Sequence, residues 1–304
     1  MSHPRRLASV LILILAVSIP VSADAAGCDR ACLATALDQY LAAMVKHDPK
    51  AAPLAAGFRY TENALDVRPG DGVWKTATGL GAVQRRYLDA VTGQAAYFGT
   101  VQEGADTGIA TLRIKVVNDR ITEGELVIGR KDNGLFDLPG LVTSPPPTRT
   151  VAANARTPRE AMIKAANSYF DGLESKDSAV IIAIPGCMRV ENGSTVTGMR
   201  PGRNGGAPVD RGDCTNMSAM GQISTVVNRR FPIVDEEAGV VVGMGVFNRP
   251  PGAKRADGTL WPRNLLTEIF TLENGRIQAI HAAMHYMTPD VANAPAWPAD
   301  SSSR

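Results

Sequence analysis

Two histidines stand four residues apart near the end of this sequence, in the segment "ENGRIQAIHAAMHYM", and this pair could do chemistry. If the segment were helical, His281 and His285 would lie about 6 Å apart on one face, where both could bind one metal ion. If the segment is a strand, the two imidazoles still share a face, but about 13 Å of backbone separates them. The secondary structure therefore decides between a shared metal site and two separate pocket groups.

The segment is predicted to be the second strand of a hairpin, which argues against a shared metal ion. Asn274–Gly275 separates "LLTEIFTLE" from "RIQAIHAAMHYM", and Asn-Gly between β-rich runs is a strong hairpin signal. Alanines alternate with the histidines on their face and would leave room for a ligand. A neutral imidazole can take or give a proton near neutral pH. His281 is therefore a candidate base and His285 a candidate ligand contact, with surface or ordinary core positions as the alternative.

The chain also contains an internal repeat with two copies. Residues 38–63 and 167–192 align without a gap at an offset of 129, which matches Tyr40 with Tyr169 and Glu62 with Glu191. The "NDRI" and "NGRI" segments match further on. A period of roughly 130 residues is too long for a solenoid and indicates a duplicated domain, with chance similarity as the alternative.

Each copy is predicted to have the same order of elements, typical of an α+β fold. A first helix ("DRACLATALDQYLAAMVKH"; "PREAMIKAANSYFDGLES") precedes a short second helix ("PKAAPLA"; "SAVIIAI"). A first strand follows ("FRYTEN"; "MRVEN"), and each copy ends in a long hairpin. Under this alignment Glu125 corresponds to His281, so the histidines are particular to copy two.

The N-terminus is predicted to be an export signal. Arg5 and Arg6 precede an apolar stretch, and "ADA" gives a small-x-small cleavage site. The protein is therefore predicted to be periplasmic or secreted. A retained membrane anchor, a lipoprotein at Cys28 and twin-arginine export are the alternatives. The predicted organisation has five parts: 1–25 signal peptide, 26–142 domain 1, 143–158 proline-rich linker, 159–289 domain 2 and 290–304 tail.

Export makes disulfides the expected state of the four cysteines. Cys187–Cys214 is the favoured long-range bridge, and Cys28 and Cys32 could bridge locally. A zinc site made from all four is the alternative, although the spacing suits zinc poorly.

The charges are balanced, with 32 basic and 30 acidic residues. A chain this neutral has no electrostatic footprint for nucleic acid, and no basic amphipathic stretch suits a membrane surface. Arg229 and Arg230 are expected to pair with Asp235 or Glu236 across a turn.

Several segments resemble the nuclear transport factor 2-like superfamily, and more narrowly a family of exported tandem SnoaL-like proteins from bacteria and fungi. They are "CDRACLATALDQYL", "YTEN", "GVWKTATG", "RRFPIVDEEAGVVVG" and "ENGRI", and the resemblance spans nearly all of residues 28–288. It implies two cone-shaped domains, each with helices packed on a curved antiparallel sheet around an apolar pocket, arranged as a pseudo-dimer. It also implies no metal and no organic cofactor. Enzymes of this superfamily move protons with pocket carboxylates, histidines and tyrosines, whereas noncatalytic members bind ligands or partners.

Copy two carries the candidate catalytic residues. A carboxylate in an apolar pocket gains basicity, so Glu191 or His281 would be the base. Arg189, on the same strand face as Glu191, or Tyr169 would stabilise negative charge. The candidate substrate contacts are His285, Trp261, Tyr60, Glu62 and Trp74. Structural roles for the Glu-Asn motif and core packing for the aromatic residues are the alternatives.

The resemblance and these residues predict a cofactor-independent lyase or isomerase. It would abstract a proton from a small, largely apolar or aromatic, lignin-dimer-like molecule, with isomerisation, dehydration or loss of formaldehyde as the outcome. A noncatalytic exported protein that binds a small hydrophobic ligand is the second hypothesis, and an interaction module with filled pockets is the third. The protein would be a monomer built as a pseudo-dimer, or a higher homo-oligomer, without nucleic-acid or membrane partners after signal cleavage. A cavity reached by both His281 and Glu191 would favour the enzyme.

Overall fold

The computed structural model describes residues 28–200, 206–217, 222–287 and Trp297. Within these residues two six-stranded sheets dominate, each preceded by one long helix. The first half comprises α1 (Arg30–Val45), β1 (Leu54–Glu62), β2 (Leu65–Asp66), α2 (Val73–Thr76), β3 (Gly79–Asp89), β4 (Gln94–Glu103), β5 (Asp106–Val117) and β6 (Arg120–Gly129). The second half comprises α3 (Leu138–Thr143), α4 (Arg159–Ser175), β7 (Ala183–Glu191), β8 (Ser194–Thr195), β9 (Met199–Arg200), β10 (Val209–Asp210), β11 (Thr225–Asp235), β12 (Val240–Asn248), β13 (Arg263–Glu273) and β14 (Arg276–Met287).

The two long helices α1 and α4 confirm the predicted first helix of each copy. Asp29 caps α1 by accepting a hydrogen bond from the backbone N–H of Cys32, and the helix then buries one apolar face. The predicted short second helices are only single 3₁₀ turns, Pro49–Ala51 and Ser178–Val180. Each turn is capped by the preceding aspartate, and the chain then extends into β1 or β7, which leaves too few residues for an α-helix.

The two sheets have the same strand order. The first runs β2-β1-β6-β5-β4-β3, and the second runs β8-β7-β14-β13-β12-β11. Each sheet is mixed rather than wholly antiparallel, because the strand after the helix (β1 or β7) runs parallel to the last strand beside it. This arrangement is compatible with two domains of the expected fold.

Both predicted terminal hairpins are confirmed. The turn residues Asn118, Asp119, Asn274 and Gly275 all have positive φ, as a tight two-residue turn between twisted strands requires. The histidine segment is strand β14, so the strand prediction for it is also confirmed.

The recurring Glu-Asn pair has a structural explanation in its asparagine. Asn63 and Asn192 both have positive φ, at 48° and 41°, and end their strands in a turn. The side chain of Asn63 donates to the carbonyl of Ile128 and accepts from its N–H. Asn192 makes the same two bonds with Met284, at the equivalent position of the other sheet. Each asparagine therefore ties the first strand of its sheet to the last.

Each sheet has one face covered by its long helix and a second face that packs against the other sheet. The helix-covered faces form two separate apolar cores. The opposite faces share a third core, to which Phe98 and Ile109 of the first sheet and Val242 and Ile269 of the second contribute fully buried side chains. Burial of this apolar surface holds the two halves face to face.

Ion pairs across the two halves are reciprocal. Arg30, on α1, donates to Asp235 of the second sheet at 2.8 Å, and Arg159, on α4, donates to Asp89 of the first sheet at 2.7 Å. Arg30 and Arg159 differ by the repeat offset of 129, and the two aspartates end equivalent strands, β3 and β11. Each helix is therefore linked to the sheet of the other half.

Both predicted disulfides are present, Cys28–Cys32 and Cys187–Cys214. All four thiols are consumed, so the four-cysteine zinc alternative does not apply. No helix among the described residues is long and apolar enough to span a membrane. The predicted signal peptide, and the predicted tail apart from Trp297, lie outside the described residues.

Candidate functional site

The guanidinium of Arg189 lies between two carboxylates on the helix-covered face of the second sheet. Its Nε donates to Oε1 of Glu191 at 2.8 Å, and its Nη1 lies 2.6 Å from Oε1 of Glu268. Its Cζ is 5.1 Å from the centre of the Tyr169 ring. Arg189 and Glu268 are buried, while 14% of the Glu191 side chain remains exposed. We call these four residues the ionisable cluster.

Strand pairing brings the cluster together. Arg189 and Glu191 share a face of β7 because side chains alternate along a strand. In the sheet, Glu191 lies opposite Ala282 of β14, and Ala282 lies opposite Glu268 of β13. The small methyl group of Ala282 therefore sits between the two glutamates. Tyr169 reaches the cluster from the buried face of α4.

Burial and the neighbouring charges shift the pKa values of Glu268 and Arg189 in opposite directions. Burial raises the pKa of Glu268 above its usual value, although the positive charge of Arg189 opposes that change. Burial alone would lower the pKa of Arg189, but the charges of Glu268, Tyr169 and Glu191 raise it well above its usual value. Burial also raises the pKa of Tyr169. The result is a protonated arginine beside a carboxyl group that takes up a proton more readily than an ordinary glutamate.

Several polar atoms of the cluster are buried without a regular hydrogen bond to any described residue. They are both carboxylate oxygens of Glu268, both terminal nitrogens of Arg189 and the hydroxyl of Tyr169. The contact between Arg189 and Glu268 is short enough for an ion pair but lacks hydrogen-bond geometry. Buried polar atoms are normally hydrogen-bonded, and each exception costs about 1–3 kcal/mol. Each such atom calls for an explanation, such as a bound water, a bound ligand or a catalytic role.

The first half has no equivalent of this cluster among its described residues. By repeat offset and sheet register, Tyr60 occupies the position of Arg189, and Leu112 occupies that of Glu268. There the interior is filled by aromatic rings, with Nε1 of Trp74 donating to the hydroxyl of Tyr40 at 2.9 Å. The two halves have therefore diverged in their interiors, and the ionisable pair is particular to the second.

The first-half candidates Tyr60, Glu62 and Trp74 have structural contacts. Tyr60 and Trp74 are buried in the first core, where each packs against another aromatic ring. One oxygen of Glu62 accepts from the backbone N–H of Val73 at the start of α2, at 2.8 Å, and the other pairs with Arg130 at 3.0 Å. These contacts support the structural alternative for all three residues.

His281 and Glu191 lie on opposite faces of the second sheet, so they do not share a cavity. His281 lies on the face of β14 that packs against the first sheet, whereas its neighbour Ala282 faces Glu191. The imidazole is buried, with Nε2 3.1 Å from the carbonyl oxygen of Ser144. The room expected beside it is filled, since Ala283 belongs to the core between the sheets.

His285 lies on that same face and contacts the first half. Its Nδ1 is 3.2 Å from Nδ2 of Asn63. The side chain packs where the last strands of the two sheets meet, away from the ionisable cluster. The expected ligand contact at His285 is therefore replaced by a contact between the two halves.

The buried environment of His281 predicts a pH dependence of stability. Burial lowers the pKa of His281 from 6.5 to about 4, and the charge of Arg85 acts in the same direction. Between these values the unfolded chain binds a proton that the folded chain excludes, so stability rises with pH across this window and falls on acidification. The expected loss between pH 7 and pH 4 is about 3 kcal/mol. Urea unfolding of the wild type and His281→Gln across this range isolates the contribution, and equal pH profiles would contradict it.

Trp261 lies beyond the cluster, in a cleft of about 440 Å³ near the ends of β11 and β12. The guanidinium carbons of Arg249 and Arg255 lie 5.5 and 5.2 Å from the centre of its ring. Burial raises the pKa of Tyr286 to about 12, and the negative charge of Glu191 acts in the same direction. The charge of Glu191 also acts to raise the pKa of Arg249. The cleft and the cluster are therefore electrostatic neighbours.

Comparisons with known proteins match one family model and several solved structures. The model of a family described as "Domain of unknown function (DUF8021)" matches residues 155–284. A crystal structure of an NTF-2-like protein of unknown function from Burkholderia xenovorans LB400 is similar at 12% sequence identity and a TM-score of 0.27, over 45% of this chain and 90% of that one. No curated protein matches the sequence significantly. The family match falls on the half that contains the ionisable cluster.

Proposed function

We propose that the second half is a cofactor-independent lyase or isomerase whose chemistry takes place at the ionisable cluster. The observation that carries the proposal is the buried carboxyl of Glu268, which has a raised pKa and only Arg189 as a charged partner within ion-pair distance in the described part of the chain. The desolvation cost of burying such a pair can exceed the attraction between its charges, so stability alone is a weak explanation for its presence. The pair fixes a positive charge where negative charge would develop on a bound substrate.

The members of the cluster have separate roles in this proposal. Glu191 retains exposed surface and meets the substrate first, so it abstracts a proton from carbon or from a hydroxyl group. The electron pair released moves onto a substrate oxygen beside Arg189. The hydroxyl of Tyr169, which has no partner among the described residues, donates a hydrogen bond to the same oxygen. Glu268 holds Arg189 in place. The proton then returns to a different carbon of the substrate, which completes an isomerisation.

Loss of formaldehyde would use the same groups. The base takes the proton of a primary hydroxyl, and the alkoxide electrons form the C=O bond of formaldehyde as the adjacent C–C bond breaks. The C–C electron pair remains on the other fragment, which takes the proton back from the base. The surrounding core supplies apolar and aromatic side chains, including Phe247 at 5.9 Å from Arg189. A small, largely apolar or aromatic molecule, such as a lignin-derived dimer, suits these surroundings.

The proposal places this chemistry in an exported protein built as a pseudo-dimer. Two disulfides fit an oxidising compartment such as the periplasm or the extracellular space. Residues 26–142 and 159–289 would be the two domains, and 143–158 would link them. The reciprocal ion pairs and the shared core between the sheets support this arrangement within one chain.

A panel of aromatic diols and hydroxy-ketones tests the proposed activity. We expect Glu191→Gln to lower kcat/KM about 100-fold or more, because an amide cannot accept the proton. Glu62→Gln, at the equivalent position of the first half, is the matched control and should retain activity. No turnover of any panel member by the wild type, or full activity of Glu191→Gln, would overturn the proposal.

The second candidate function is a noncatalytic exported protein that binds a small hydrophobic ligand. The open cleft beside Trp261 favours it, since a cleft of about 440 Å³ has the size of a small-molecule site. Saturable binding of panel members without turnover would select this function over the lyase or isomerase.

A further inference from the structure

The cleft beside Trp261 is lined by positive charge. Its walls come from the start of β11, the end of β12 and the following loop, and they include Arg249, Trp261 and Arg263. Arg255, on the same loop, also lies against the indole ring of Trp261. Lys176, at the end of α4, lies close enough for the charge of Arg249 to lower its pKa, after the larger effect of burial. Two guanidinium groups therefore lie against one aromatic ring, with Arg263 in the wall of the same cleft and Lys176 near Arg249.

Arg249 is the best placed of these cations to bind a ligand. It is half-buried, and burial lowers its pKa from the usual value despite the opposing charge of Glu191. Its guanidinium donates to the carbonyl of Pro262 and to the side-chain oxygen of Asn264, both of which are neutral. Among the described residues it forms no ion pair with a carboxylate, and Glu191 is already engaged by Arg189.

Arg249 and Arg255 repel each other, and the described residues that line the cleft include no aspartate or glutamate. Arg255 further lowers the pKa of Arg249, so the two guanidinium groups disfavour each other. A bound anion would relieve that repulsion and replace lost hydration with charge-assisted hydrogen bonds. The guanidinium group is planar and matches a carboxylate with two parallel donors.

We propose that this cleft binds a small aromatic carboxylate, with the carboxylate on Arg249 and the aromatic ring against Trp261. The volume of about 440 Å³ lies toward the lower end for small-molecule sites, which limits the ligand to one aromatic ring with a short side chain. Charge balance and an aromatic wall distinguish this class from a neutral apolar ligand. The inference does not depend on whether the ionisable cluster performs chemistry.

Cinnamate and its neutral counterpart cinnamyl alcohol test the inference. Trp261 is half-exposed while Trp74 and Trp297 are buried, so saturable quenching of tryptophan fluorescence by cinnamate should report on the cleft. Calorimetry gives the Kd. We expect Arg249→Gln to raise the Kd for cinnamate about ten-fold or more, and Arg255→Gln, at an exposed position, to raise it less. Cinnamyl alcohol should bind weakly in both wild type and variant.

Two control variants show whether cinnamate binding depends on this cleft alone. Arg59→Gln removes a guanidinium from the ring of Trp297, at 4.4 Å in the first half, and should leave cinnamate binding unchanged. Glu268→Gln should retain binding even if it abolishes turnover. Equal affinity of wild type and folded Arg249→Gln would overturn the inference. Equal affinity of the wild type for cinnamate and cinnamyl alcohol would also overturn the inference. So would loss of cinnamate binding in Glu268→Gln alone.

Discussion

Replacing Arg189 with methionine is expected to lower the free energy of unfolding by about 3–5 kcal/mol. The guanidinium is buried against Glu268, which has no other cation within ion-pair distance among the described residues. Without it, the buried carboxylate must either stay charged and uncompensated or take up a proton. Urea unfolding followed by circular dichroism measures the change.

A double variant separates the charge from the shape of the side chain. Glu268→Leu introduces the residue that the first half has at this position, Leu112. Replacing both members of a buried ion pair with apolar residues is often neutral or stabilising, so Arg189→Met/Glu268→Leu should regain most of the stability lost in Arg189→Met. Glu191 keeps exposed surface and can be solvated without its arginine. A double variant no more stable than Arg189→Met would show that packing, and not charge, makes Arg189 necessary.

The same pair of variants links stability to function. A buried ion pair that can be replaced without loss of stability is not retained for folding alone. If the double variant is stable and inactive on the substrate panel, the cluster is maintained for its chemistry. If it is stable and fully active, the proposed roles of Arg189 and Glu268 are wrong.

Local patterns in the sequence predict much of this arrangement. The repeat offset, the Asn-Gly turn and the cysteine positions lead to the repeated order of elements, both terminal hairpins and both disulfides. Alternation along β7 also places Arg189 and Glu191 on one face. Each of these inferences depends on residues close in sequence or on similarity between the copies.

The sequence does not show what covers each face of a sheet. Both faces of β14 are apolar, because one packs on helix α4 and the other on the first sheet. Alternation along the strand places His281 and the neighbouring alanines on one face. It does not show whether that face packs on helix α4 or on the first sheet. The expected open pocket beside His281 is therefore wrong, although its strand and its neighbours are predicted correctly.

Long-range ion pairs escape prediction for a similar reason. Arg230 is expected to pair with a nearby acid, but it pairs with Glu125 of the first sheet, 105 residues away. Its neighbour Arg229 pairs with Asp171 and Glu174 of α4. Glu268 is absent from the residues predicted to form the site, although an acid at an inward position inside the apolar run "LLTEIFTLE" is a signal that could have identified it.

Replacing either Asp89 or Asp235 with alanine is expected to lower the free energy of unfolding by about 3 kcal/mol. Asp89 accepts from Arg159 at 2.7 Å and from the backbone N–H of Val234 at 2.8 Å. Asp235 accepts from Arg30 at 2.8 Å and from the backbone N–H of Leu88 at 2.8 Å. Both carboxylates are buried, so each substitution removes the buried carboxylate partner of an arginine and the acceptor of a backbone N–H.

The two effects should be similar in size, because the contacts are reciprocal. Asp38→Asn provides the control: Asp38 pairs with Arg86 at 2.6 Å on the exposed surface of the first half, and that pair should contribute about 1 kcal/mol or less. We expect a single unfolding transition in the wild type, shifted to lower urea by either aspartate substitution. The wild type could instead show two unfolding transitions, with each substitution shifting only one of them. That result would mean that these ion pairs do not join the halves into one folding unit. If the two halves unfold as one unit, each substitution must destabilise both of them.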